Sequence, residues 1–174
     1  DDWRAMVASP EIDVVHITAP NALHKEMALA AIAAGKHVYC EKPLTLTVDE
    51  GKLLVKTVKD TGRILQVGTQ QRSNPNLFGR AVATVRTGQL GKIKKVTVSL
   101  PLSTAEGGPF QAQPVPPQLN WDFWLGQAPK VDYVPQRCHF NFRWWYEYSG
   151  GIMTDWGAHH NDIARWAIGL DGRS

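Results

Sequence analysis

The sequence predicts an α/β fold: the later part of a doubly wound parallel sheet over residues 1–72, then the start of an α+β unit with an open antiparallel-type sheet over residues 73–174. Three observations carry this. Residues 13–43 read as apolar strand, proline–asparagine turn, helix, glycine and second apolar strand, which is a parallel pair with a right-handed crossover. The rhythm repeats once, through a helix at 47–62 into a third apolar run at 64–67. From residue 92 the pattern switches to alternation, with Val96, Val98 and Leu100 set against Lys95, Thr97 and Ser99. That is the period of a sheet with one buried face.

Each element has its own signals. Residues 1–10 read as the end of a helix. The run at 14–18 is short and rich in β-branched residues, as in a buried parallel strand. Pro20 and Asn21 stop it, and Asn21 is a suitable N-cap for the helix that follows. Leu23, Met27, Ala30, Ala31 and Ala34 give that helix an apolar face, and Gly35 stands where a C′ glycine belongs. Thr47 and Glu50 form a capping box, and Val48, Gly51, Val55 and Val58 mark the next helical face. Residues 76–87 predict a helix closed by Gly88. Residues 101–117 predict a proline-rich loop whose length suits a binding segment better than a linker. Residues 137–148 are dense in aromatics. A last helix opens at Gly150-Gly151 and runs to about residue 168, with Met153, Trp156, His160, Ile163 and Ala167 as its apolar side.

Composition narrows the function. The 174 residues are 43% hydrophobic and 20% charged, with a formal net charge of +3. Those proportions suit a globular protein. The densest basic group is Lys92, Lys94 and Lys95, which reads as the solvated side of a strand, so no nucleic-acid partner is expected. No long apolar span appears, so no membrane partner is expected. Cys40 and Cys138 share no metal spacing and read as free thiols.

Two clusters stand out chemically. Ligands of open parallel sheets bind outside the carboxyl ends of the strands. Thr18-Ala-Pro-Asn21 with His24 follows the first strand, and Glu41-Lys42-Pro43 follows the second. Lys42 is either a solvated loop charge or a site residue. The second cluster is on the last helix, where Asp155, His159 and Asp162 share one stripe. Asp155 and His159 permit three readings: a structural pair at a helix start, a shared metal ion, or an acid/base pair. Asp162 reads as support behind them, and His160 as a packed core histidine. Arg143 is read either as a cofactor contact or as the partner of a surface acid.

The run Thr-Ala-Pro-Asn plus histidine, then Ala-Gly-Lys-His-Val, Glu-Lys-Pro and Gly-Gly…Asp-x-x-x-His resembles the glucose-fructose oxidoreductase/inositol dehydrogenase (Gfo/Idh/MocA) family across nearly the whole chain. The resemblance implies the C-terminal part of a Rossmann domain at 1–72 and the N-terminal part of a substrate and oligomerisation domain at 73–174. It implies hydride transfer between a nicotinamide cofactor, NAD or NADP, and a carbohydrate or polyol. Lys42 and His159 would share proton transfer, with Asp155 orienting His159. Thr18, Pro20, Asn21, His24, Glu41, Gln70 and Arg143 would contact the cofactor. The metal reading loses its place, and a homo-oligomer is expected at full length. Similar proteins include glycosidases that use NAD transiently and sugar-sensing regulators, and both are kept as alternatives. The Gly-x-Gly-x-x-Gly turn and the ribose-binding acid are absent, so the chain reads as an internal fragment, inactive by itself.

Overall fold

The computed structural model describes residues 2–102 and 108–170. Its first unit is a three-stranded parallel sheet in the order β1 (Val14–Ile17), β2 (His37–Cys40), β3 (Leu65–Val67). Val14 pairs with His37 and Ile17 with Cys40, while Val38 pairs with Leu65 and Cys40 with Val67. The crossovers are α2 (Asn21–Ala33) and α3 (Val48–Thr61), and α1 (Trp3–Ala8) precedes the sheet. Val15, Ile17, Val38 and Cys40 pack with Val7 of α1, Ala28, Ala31 and Ile32 of α2 and Leu54 of α3 in one core. Burial pushes the Cys40 thiol up to about 12, which leaves it unreactive.

Only one face of the sheet is covered among the described residues. Val14 is 57% exposed, and His16 meets Tyr39 edge to face at 4.9 Å on the open side. The expected fully buried strand is therefore half-buried here. On α3 the inward face is Leu54 and Val58, while Val48 and Val55 point to solvent. Four apolar positions at helical spacing did not identify the face, because Leu54 also fits the period. The capping box is formed as expected, with Glu50 N–H donating to Thr47 Oγ1 and Thr47 N–H to Glu50 Oε2. Asn21 is not an N-cap. Pro20 takes that position, and the Asn21 amide is buried and donates to Ser149 Oγ. Tertiary satisfaction of a buried amide outweighs a local cap.

The second unit contains α4 (Arg80–Arg86), α5 (Trp121–Leu125) and α6 (Gly151–Ala167). The expected 76–87 helix is split into a π turn, Pro75–Gly79, and α4. A second core gathers Trp121, Leu125, Ala128, Cys138 and Tyr148 with Ala22 of α2, so the two units share a packed boundary. Trp121 stacks on Trp124 at 4.8 Å. Residues 92–100 form no strand, and no described residue pairs with them. Alternation supplies a face, but a strand exists only with a ladder partner. Residues 103–107 of the proline-rich loop lie outside the described residues. Among the described residues, no helix is long and apolar enough to cross a membrane.

Candidate active site

Each strand of the sheet ends on one rim, so the polar residues after β1 and β2 converge. The Thr18–Asn21 turn follows β1, and Glu41 and Lys42 follow β2. Facing them is the first turn of α6. A cavity of about 360 Å³ lies between, lined by Thr18, Pro20, Asn21, His24, Glu41, Lys42, Arg143 and Asp155 of the expected residues. Gly68, just after β3, belongs to this rim. A Cβ there would come within 2.8 Å of Glu41 Oε2, so glycine leaves room for the carboxylate.

The centre is an ion pair between the units. Lys42 Nζ donates to Asp155 Oδ1 at 2.5 Å and to the Asp155 carbonyl at 3.2 Å. Both side chains are largely buried, at 17% and 10% exposure. Arg143 Nη1 stands 3.7 Å from the other carboxylate oxygen, and its guanidinium lies 3.8 Å over the Phe140 ring. Asp155 is thus held between two cations. It holds Lys42, rather than serving His159 as the sequence reading assigned.

His159 follows one turn later on the same face. It is buried, and its Nδ1 has no hydrogen-bond partner. Burial first, then the charge of Lys42, pushes its imidazole below the ordinary value, against the pull of Asp155. Both effects favour the neutral ring, and His159 itself is not among the residues that line the cavity. Arg143 Nε is buried without a partner as well. Asp162, two turns from Asp155, receives Arg72 through both guanidinium arms, with Nη2 donating to Oδ1 at 2.8 Å.

Besides His159, three expected residues sit differently. Gln70 is exposed and does not line the cavity. His24 lines it, yet both its ring nitrogens face backbone carbonyls. His160 is half-buried against Trp156 rather than in a core. Of the polar stripe of α6, Asp155 lines the cavity, while Met153 and Trp156 are 59% and 42% exposed. The sequence reading missed Trp124, His139, Phe142 and Ser149, all of which line the cavity. His139 adopts φ +50°, uncommon for a residue with a side chain. The aromatic density at 137–148 was the available signal, but spacing alone does not say which rings face inward. Among the described residues, no group of three or more His, Cys, Asp or Glu side chains is placed to hold a metal ion.

Comparison with known proteins gives the family. Residues 1–69 match the oxidoreductase family's NAD-binding Rossmann fold, and residues 85–174 match the same family's C-terminal alpha/beta domain. Levoglucosan dehydrogenase of Pseudarthrobacter phenanthrenivorans is 41% identical over 92 residues, covering 53% of this chain and 23% of the relative. The scyllo-inositol 2-dehydrogenase (NAD(+)) of Bacillus subtilis is 29% identical over 172 residues, covering 98% of this chain and 40% of the relative. A levoglucosan dehydrogenase structure in complex with NADH and levoglucosan superposes with a TM-score of 0.65 at 29% identity, covering 96% of this chain and 38% of that one. The chain thus spans less than half the length of the relatives it matches. Over that span, it belongs to the Gfo/Idh/MocA family of oxidoreductases.

Proposed function

We propose that the full-length protein is an NAD(P)-dependent oxidoreductase that moves hydride between a sugar, polyol or sugar derivative and nicotinamide. The observation that carries this is the Lys42–Asp155 pair at 2.5 Å, beside the partnerless Nδ1 of buried His159, on the rim of a parallel sheet. NAD(P) supplies the hydride acceptor when bound. The rim suits it: Thr18, Pro20 and Glu41 line one wall, and Gly68 keeps the Glu41 carboxylate close to the backbone. Domain limits of 1–72 and 73–174 put this cleft at a domain boundary, where ligand sites are common.

The chain's own groups handle the proton. A substrate hydroxyl seated between Lys42 and His159 meets an ammonium donor and a neutral imidazole. His159 accepts the hydroxyl proton as the carbinol carbon is oxidised. Lys42 stabilises the negative charge that develops on oxygen and exchanges the proton with His159. Asp155 fixes Lys42, and Arg143 holds Asp155. Trp124 and Phe142 offer apolar surface for the faces of a sugar ring. The test is spectrophotometric. Full-length protein is incubated with NAD or NADP and a panel of inositols, anhydrosugars and aldoses, with nitrophenyl glycosides as a separate arm. Cofactor reduction by a panel member is expected. No reduction across the panel, or nitrophenol release without net reduction, would overturn the reading.

A further inference from the structure

His24 is 1% exposed in the first turn of α2. Its Nδ1 lies 2.8 Å from the carbonyl oxygen of Pro43, and its Nε2 lies 2.8 Å from that of Ala19. Carbonyl oxygens only accept, whereas a neutral imidazole carries a single N–H. With one N–H, one of these contacts would set a lone pair against a lone pair at hydrogen-bond distance. Both contacts are hydrogen bonds only when both ring nitrogens carry hydrogen.

We propose that His24 is a positioning residue that donates from both ring nitrogens, ties the turn after β1 to the loop after β2, and so aims Lys42 at Asp155. Pro43 directly follows Lys42, so fixing its carbonyl fixes the backbone that carries the lysine. Ala19 lies between Thr18 and Pro20 in the turn after β1. Pro20 and Pro43 have no N–H, which leaves the two loops short of donors with which to hold each other. His24 supplies them. Asn21, on the same turn, donates to Ser149 Oγ, which lies 3.3 Å from Thr154 Oγ1 in α6. One turn of α2 therefore grips both sides of the Lys42–Asp155 pair. The charged groups around the same cavity are Glu41, Lys42, Arg143 and Asp155; Asp155 pairs with Lys42 and Arg143, and Glu41 lies 3.6 Å from His16, so the acceptors His24 meets are the two backbone carbonyls.

The kinetic part rests on the oxidoreductase reading, so the test has an arm that needs no turnover. In full-length protein labelled with ¹⁵N-histidine, long-range ¹H–¹⁵N spectra at neutral pH are expected to show hydrogen on both ring nitrogens of His24. A bare nitrogen overturns the proposal. In His24→Phe, the Lys42 side-chain resonances are expected to move while NADH binding changes less than about threefold; unmoved resonances overturn it too. The kinetics use a double-mutant cycle. His24→Phe is expected to lower kcat by about tenfold or more in the native background and to have no further effect in Lys42→Ala. Equal losses in both backgrounds would mean a structural role only. If His24→Phe does not fold, the nitrogen spectra of the unmutated protein still decide. If no sugar is turned over, the oxidoreductase reading fails while both spectroscopic results stand.

Discussion

At the residue scale, the decisive group is His159, because its environment sets a pH range. Its pKa is lower in the folded chain than the ordinary 6.5, since burial and Lys42 both oppose the imidazolium. The unfolded chain therefore binds the proton more tightly. Stability from this group is fully present above about 6.5 and is lost as pH falls through the folded value. Activity is expected to follow the same sign, with the acid limb of kcat/KM below pH 6.5, and His159→Asn is expected to remove that limb. A limb that persists in His159→Asn would assign it elsewhere. Lys42 carries the other half. Lys42→Ala is expected to lower kcat by about 10²–10⁴-fold with dinucleotide affinity nearly unchanged. Losing one partner of a buried pair costs about 3–5 kcal/mol. Arg143 remains beside Asp155, so denaturant unfolding is expected to show the lower end of that range or less. Unchanged turnover in Lys42→Ala would return the lysine to a loop charge.

At the element scale, α2 and α5 show what sequence pattern resolves and what it does not. The strand–turn–helix–strand order was legible because each punctuation mark has a local cause. Pro20 ends β1, Gly35 takes φ +79° after α2, and Thr47 and Glu50 cap α3. Residues 92–100 have no ladder partner among the described residues, since alternation predicts a face and says nothing about a partner. The inward face of α3 was misread because Val48 and Leu54 fit comparable periods, and only packing against β2 and α2 separates them. Gly126 tests the boundary between α2 and α5. It takes φ +56° and ψ −120°, and a Cβ there would come within 2.2 Å of Leu23 Cδ2. Backbone in such a region costs about 1–3 kcal/mol for a residue with a side chain. Gly126→Ala is expected to destabilise the protein by at least that much in urea unfolding, since Leu23 is buried and has little room to yield. A stability change below about 0.5 kcal/mol would show that the boundary is looser than its packing indicates.

At the scale of the whole molecule, the site exists because two distant stretches meet. Sequence named Lys42, Asp155 and His159 one by one. It did not show that Asp155 belongs to Lys42, because that contact spans 113 residues and depends on how α6 docks. The docking has a second anchor. Arg72 after β3 forks onto Asp162, two turns beyond Asp155, and lies 5.2 Å from the Trp166 ring centroid. The Lys42 and Arg72 pairs together fix both the position and the rotation of α6 over the sheet rim. The Arg72–Asp162 side chains are 31% and 23% exposed, so their coupling should lie between that of a surface pair and a buried one, about 1–2 kcal/mol. Its effect on turnover should be larger than its effect on stability, because a misplacement of about 1 Å costs up to ~10²-fold when geometry limits the rate. Arg72→Lys keeps the charge but not the planar fork. It is expected to lower kcat/KM by about tenfold while shifting the unfolding midpoint little. Arg72→Ala combined with Asp162→Asn should cost less than the two single losses together, because both break the same contact. Multiplicative losses in that cycle, or a Lys variant with native kcat/KM, would mean that the Lys42–Asp155 pair positions α6 without the second anchor.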